Sequence, residues 1–180
     1  YYNNWDFNES LVQKYLLAMS MAKVDIVEIG FRFLPQKKFL GKFAYSEDNF
    51  ISALNLPSNI EYAVMINASD FINHDSGFEI PLKAMFSLKK DSHIDIVRIA
   101  AHARDIKDCR PIAIALKNLG YKVFLNIMQI SSMEPDVIAS AAKEVDSWKC
   151  IEALYFADSF GNMEPDSISS VISALSSQWK

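Results

Sequence analysis

Two charged residues interrupt apolar runs: Glu28 inside "DIVEIGF" and Arg98 inside "DIVRIAAH". An unpaired charge in such a setting is expensive, so each needs a partner. They can pair with each other or with backbone across an interior, one can meet a ligand, or both can hold. Arg98 facing a pocket suits a substrate carboxylate. His102 closes the Arg98 run and is followed by "ARD", a position suited to a general acid or base and equally to plain hydrogen-bonded structure. "ADSFG" (157–161) sets an acid, a hydroxyl and a glycine ahead of a helix. It reads either as capping punctuation or as Ser159 and backbone donors facing an anionic group.

These residues need a scaffold, and the apolar periodicity supplies one. Near-continuous apolar runs at 23–31, 61–69, 93–103, 121–130 and 150–161 predict five strands at roughly thirty-residue spacing, the size of one βα unit. The run "NESLVQKYLLAMSMA" predicts a helix with Leu11, Tyr15, Leu16 and Met19 on one face and Asp6 with Glu9 as a capping box. A second helix is expected from Asp108 as cap, through Pro111 in the first turn, to Gly120 as the stop. Met-Glu-Pro-Asp occurs twice, at 133–136 and 163–166. Each copy reads as a helix start capped by Ser132 or Asn162, with a proline and acids in the first turn. The doubling therefore reports architecture, not chemistry.

Strands buried on both faces and separated by helices predict an α/β fold with a parallel sheet. Either a doubly wound sheet or a (β/α)₈ TIM barrel fits. No G-x-G-x-x-G follows the first strand, which weakens the nucleotide-binding form, and a closed barrel needs eight strands. The barrel version is an incomplete one, about five to six βα units in a single domain over 1–180. In both architectures ligands sit at the carboxyl ends of the strands. The polar residues there are Glu28, Arg32, Asn67, Arg98, His102, Asn126, Gln129, Asp158 and Ser159. The basic, aromatic stretch 31–50 is too long for a minimal loop and reads as a lid or a solvated excursion.

Composition narrows the partners. The chain has 180 residues, 51% of them hydrophobic, enough for one domain with a real core. A net charge of −4 argues against nucleic acid or an anionic membrane as the main partner. Cys109 and Cys150 lack C-x-x-C spacing, and His74 and His93 lack a histidine companion. That predicts a cytoplasmic protein with reduced thiols and no metal site made by this chain alone. The open edges of an incomplete barrel favour a homo-oligomer.

"NNWDF", "VDIVEIGF", "GKFAYS", "VRIAAHARD", "GYKVFLNIMQIS", "EPDVIASAAKEV" and "ALYFADSFGNMEPDSI", in this order, resemble the aldolase branch of the pyruvate carboxyltransferase-like barrels. That superfamily includes 4-hydroxy-2-oxovalerate aldolase and 3-hydroxy-3-methylglutaryl-CoA lyase. The resemblance implies aldol or Claisen chemistry on a small 2-oxo acid, with a divalent metal, Mn or Mg, stabilising an enolate. Its metal ligands lie in Arg-Asp-Gly and His-x-His motifs, neither of which is in this sequence. The resemblance places the first just before Tyr1 and the second beyond Lys180, implying an amino-terminal portion that is inactive alone and holds no metal itself. By the same resemblance Tyr1 stands near a proton-transfer position, Glu28, Arg98 and His102 match polar strand-end positions, and Ser159 matches a serine or threonine that holds a substrate carboxylate or carbonyl oxygen. Taken with the strand-end reading, Tyr1 and His102 are the candidate catalytic residues, and Glu28, Asn67, Arg98, Asn126, Gln129 and Ser159 the candidate substrate-binding ones. The competing reading is a non-catalytic barrel relative used as a binding or scaffold module.

Overall fold

The computed structural model describes residues 3–38 and 40–180. In chain order its elements are α1 (Glu9–Met21), β1 (Ile26–Phe31), α2 (Lys42–Tyr45), α3 (Asp48–Ser52), β2 (Glu61–Asn67), α4 (Ala68–Ile72), α5 (Glu79–Met85), β3 (Ile96–Ala101), α6 (Ile106–Asn118), β4 (Lys122–Ile127), α7 (Pro135–Ser147), β5 (Ala153–Phe156) and α8 (Pro165–Ser176). The five strands form one parallel sheet in the order β1-β2-β3-β4-β5. Sequential order decides between the two expected architectures. A doubly wound sheet reverses its order at a switch point, whereas a barrel adds each strand beside the last. The sheet is a length of TIM barrel.

One face of the sheet is packed under the helices. Val64, Ile66, Val97, Ile99, Val123 and Leu125 are completely buried there, each contributing about 1.5–3 kcal/mol by leaving water. The alternate residues Glu28, Met65, Arg98, Phe124 and Tyr155 face the other way, toward the barrel interior, and are only half-covered or exposed. Neither β1 nor β5 has a neighbour on its outer side among the described residues. Beside β1 an apolar groove of about 500 Å³ runs along α1, lined by Phe7, Leu11, Tyr15 and Val27 among others.

The helix starts differ from expectation in detail. Asn8, not Asp6, caps α1, its side chain accepting from the Leu11 amide. The repeated Met-Glu-Pro-Asp does open α7 and α8, but the caps are Glu134 and Glu164, extended residues directly before Pro135 and Pro165. Proline's fixed φ suits the first helical position, which puts the cap one residue earlier. Ser132 instead ends a short 3₁₀ turn and donates to the Gln129 carbonyl. Likewise α6 begins at Ile106, running on from a 3₁₀ turn at Ala103–Asp105, so Asp108 lies within its first turn and Pro111 inside the helix. Gly120, with φ of +98°, follows the end of α6 as expected.

The described ends of the 31–50 excursion are packed structure, with Phe31, Arg32, Phe43, Ala44 and Ser46 buried, while 35–38 are exposed. Phe31 and Phe33 stack at 3.8 Å between centroids, with Trp5 edge-on to both. α2 comes so close to β1 that a Cβ on Gly30 would lie 2.2 Å from the Phe43 carbonyl oxygen and 2.5 Å from Ser46 Oγ. Backbone cannot yield cheaply, so Gly30→Ala is expected to destabilise the protein by ~3 kcal/mol. A thermal melt checks this, and an unchanged midpoint would mean that α2 shifts freely.

Candidate functional site

Parallel pairing fixes which interior side chains share a level. Met65, Arg98 and Phe124 stand in register on β2, β3 and β4, and one level higher come Asn67, Ala100, Asn126 and Tyr155. Arg98 reaches back across β2 to Glu28. Its Nε donates to Oε2 and its Nη2 to Oε1, both at 2.5 Å. The β2 residue paired with Glu28 is Ala63, short enough for the ion pair to pass over it. The fork-on-carboxylate geometry is the strong form of the interaction. On its other side the Arg98 guanidinium carbon lies 5.8 Å from the centre of the Tyr155 ring. Burial pushes the Tyr155 phenol above its ordinary value and Glu28 adds to this, while Arg98 opposes it. The hydroxyl is therefore a proton donor throughout the neutral range.

The upper level differs in holding a buried amide oxygen without a partner. Asn126 is 3% exposed, and its Oδ1 is buried with no hydrogen-bond partner among the described residues. Asn67 is engaged locally, donating to Ser69 Oγ and Asp70 Oδ1. Between the two amides β3 contributes only the methyl group of Ala100. His102 has the same parity as Arg98 and Ala100, two residues beyond the latter at the end of the strand, and is half-buried.

Gln129 and Ser159 belong to the rim. Gln129 adopts the left-handed conformation, φ 56°, two residues past the end of β4. Its amide donates to Ser159 Oγ at 3.0 Å, tying the loop after β4 to the loop after β5. Asp158 holds its own loop, accepting from the Met163 amide. That bond first, and further amides of residues 160–162, keep its carboxyl below the ordinary range against the effect of desolvation. Arg32, though at a strand end, is committed elsewhere, to Ser46, Met85 and Asp48. Tyr1 lies outside the described residues.

The structure thus brings Glu28, Arg98 and Asn126 onto one interior face, sets Asn67 and His102 at its upper margin, and leaves Gln129 and Ser159 on the loops above. Tyr155 was missed by sequence reasoning. Its signal was present, because in "ALYFAD" it occupies the same alternate set as Ala153 and Ala157 and so faces the interior beside Asn126. Among the described residues no group of three His, Cys, Asp or Glu side chains is placed to hold a metal ion.

The sequence matches no family model. No curated protein matches it either. Solved structures do. The N-terminal domain of a proposed aldolase from Bacteroides vulgatus superposes over 100% of this chain with a TM-score of 0.80 at 27% identity. The chain is a partial TIM barrel. The hydroxymethylglutaryl-CoA lyase of Pseudomonas aeruginosa matches 96% of it with a TM-score of 0.68 at 16% identity, a likeness of fold. This partial barrel spans 57% of the first neighbour and 58% of the second. No helix among the described residues is long and apolar enough to cross a membrane.

Proposed function

We propose that this partial barrel belongs to an aldolase or lyase that makes or breaks a carbon-carbon bond next to a 2-oxo acid, in the branch that resembles 4-hydroxy-2-oxovalerate aldolase. The observation that carries the reading is the match along the whole chain to the domain of that proposed aldolase at 27% identity. The interior face fits it, with a guanidinium midway along β3 and, one level nearer the carboxyl ends of the strands, a neutral phenol and an unsatisfied amide.

In aldol cleavage of a 4-hydroxy-2-oxo acid, the 4-hydroxyl proton goes to a base and the bond between C3 and C4 breaks. An aldehyde leaves, and the electron pair stays on the 2-oxo fragment as an enolate, which is protonated at C3 to give pyruvate. His102, at the mouth of the interior, is the side chain of this chain suited to moving that proton. Arg98 supplies positive charge near the acid end, with Glu28 fixing its plane. A bound Mn or Mg would polarise the 2-oxo group, but the described residues offer it no ligand set, and none of the steps above is assigned to it. The open edges of β1 and β5 are where further parallel strands of the whole protein would close the barrel. In the isolated chain the same edges would pair copies with each other.

The test is pyruvate release from a panel of 4-hydroxy-2-oxo acids by the whole protein with Mn²⁺ or Mg²⁺ supplied. Release is the expected result, with none from the 180-residue chain alone. A folded whole protein that releases no pyruvate from any member overturns the catalytic reading in favour of a binding or scaffold module.

A further inference from the structure

Glu28 grips Arg98 along one edge, through Nε and Nη2. A fork of this kind restrains that edge but not a swing of the plane about the line joining the two carboxylate oxygens. An arginine recognises a substrate carboxylate through its plane, so a swing misaims it. On the side away from Glu28, two strands over, stands Tyr155 of β5. The Arg98 guanidinium carbon lies over its ring, 5.8 Å from the centre, within the distance at which a ring face attracts a cation. The ring is itself braced. Phe124, the β4 residue in register with Arg98, meets it edge-on at 6.3 Å with 83° between the planes, and Tyr155 is half-buried. Charge pairing thus fixes one edge of the guanidinium, and an aromatic face limits its swing toward β5.

We propose that Tyr155 is a positioning residue that acts through Arg98, its ring face keeping the guanidinium plane turned toward the acid end of the substrate. The role rests on the aldolase reading, in which Arg98 meets that acid end, and it needs the ring of Tyr155, not the hydroxyl. If Tyr155 were only packing against Phe124, the effect of removing it would not depend on which residue stands at position 98.

The test is pyruvate release from 4-hydroxy-2-oxopentanoate by the whole protein with Mn²⁺ or Mg²⁺ supplied. Tyr155→Leu should lower kcat/KM ~5–30-fold, the span of a cation–π contact from partly exposed to desolvated, and the loss should fall on kcat more than on KM. Tyr155→Phe keeps the ring and should stay within about threefold of the wild type. In an Arg98→Met background Tyr155→Leu should cost no further activity, because no guanidinium is left to aim. Tyr155→Met gives the same reading if Tyr155→Leu does not fold. A readout independent of turnover is the Arg98 Nε–H resonance without added metal, identified by its loss in Arg98→Met. The ring current of Tyr155 displaces it, so Tyr155→Leu should move it and Tyr155→Phe should not. Equal losses with Arg or Met at position 98, or a Phe variant as impaired as the Leu variant, overturn the positioning role and leave the aldolase reading standing. A resonance that Tyr155→Leu leaves in place overturns the contact itself. No pyruvate release by the wild type overturns the aldolase reading and the positioning role with it.

Discussion

Replacing Arg32 with Met is expected to cost about 3–5 kcal/mol of stability, the range for breaking a buried ion pair from one side. Arg32 is 2% exposed. Its Nε donates to the Ser46 carbonyl at 3.1 Å, its Nη1 to the Met85 carbonyl at 2.7 Å and its Nη2 to Asp48 Oδ1, while its plane lies 4.7 Å from the Phe86 ring centre. One guanidinium thus joins the end of β1 to α2, α3 and α5. Methionine fills the volume but strands two carbonyls and a carboxylate. Lysine keeps the charge but cannot fork to three acceptors, so Arg32→Lys should recover only a minor share. Urea unfolding measures both, and a Met variant with the wild-type midpoint would show that the excursion contributes nothing to the fold.

The same cluster gives a pH signature. Burial alone would raise the Asp48 carboxyl, but hydrogen bonds from Ser92, Arg32 and Ser87 and the Arg32 charge outweigh it and hold the folded value below the ordinary one. A lowered carboxylate contributes stability that is fully present above its unfolded value, near 4, and is lost as pH falls through the folded value. Part of the acid limb of the wild-type stability curve belongs to Asp48, and Arg32→Met should flatten that part.

The fold was legible because parallel strands buried on both faces are written as apolar runs, and five such runs at a constant interval leave few architectures. The runs overreached the strands, as 93–103 did against Ile96–Ala101, because apolar residues continue into turns that hydrogen bonding does not extend. The excursion after β1 was opaque for a different reason. Its order depends on Arg32 meeting two carbonyls and an aspartate up to 53 residues away, and no local pattern encodes that. Glu28 and Arg98 were conspicuous as charges in apolar runs. Asn126 and Gln129 looked alike as polar residues near the end of one strand, yet one is a buried orphan and the other a left-handed turn residue. The difference lies in parity against β3 and β5, which only the pairing register reveals. Tyr155 was overlooked because a tyrosine among apolar residues reads as core, until the register puts it beside an amide and above a guanidinium.

The Glu28–Arg98 pair should separate stability from activity. Its side chains are 34% and 17% exposed, so solvent weakens the penalty for breaking it. Glu28→Gln or Arg98→Met alone should cost only about 1–2 kcal/mol, below the range for a buried pair. Glu28→Gln with Arg98→Met removes both charges and should restore most of that loss, since an apolar and an amide side chain leave no charge uncompensated. Activity of the whole protein should behave otherwise. If Arg98 holds the acid end of the substrate, Arg98→Met lowers kcat/KM about 10²–10³-fold, as loss of a preorganised charge-stabilising donor does elsewhere, and the double variant recovers none of it. Glu28→Gln keeps the guanidinium but releases its plane, so its loss should be smaller and should appear in kcat more than in KM. Stability and activity recovering together in the double variant would assign the pair a purely structural role. Unchanged ligand affinity in Arg98→Met would remove Arg98 from the site and leave carboxylate recognition to the backbone donors of the loops after β4 and β5.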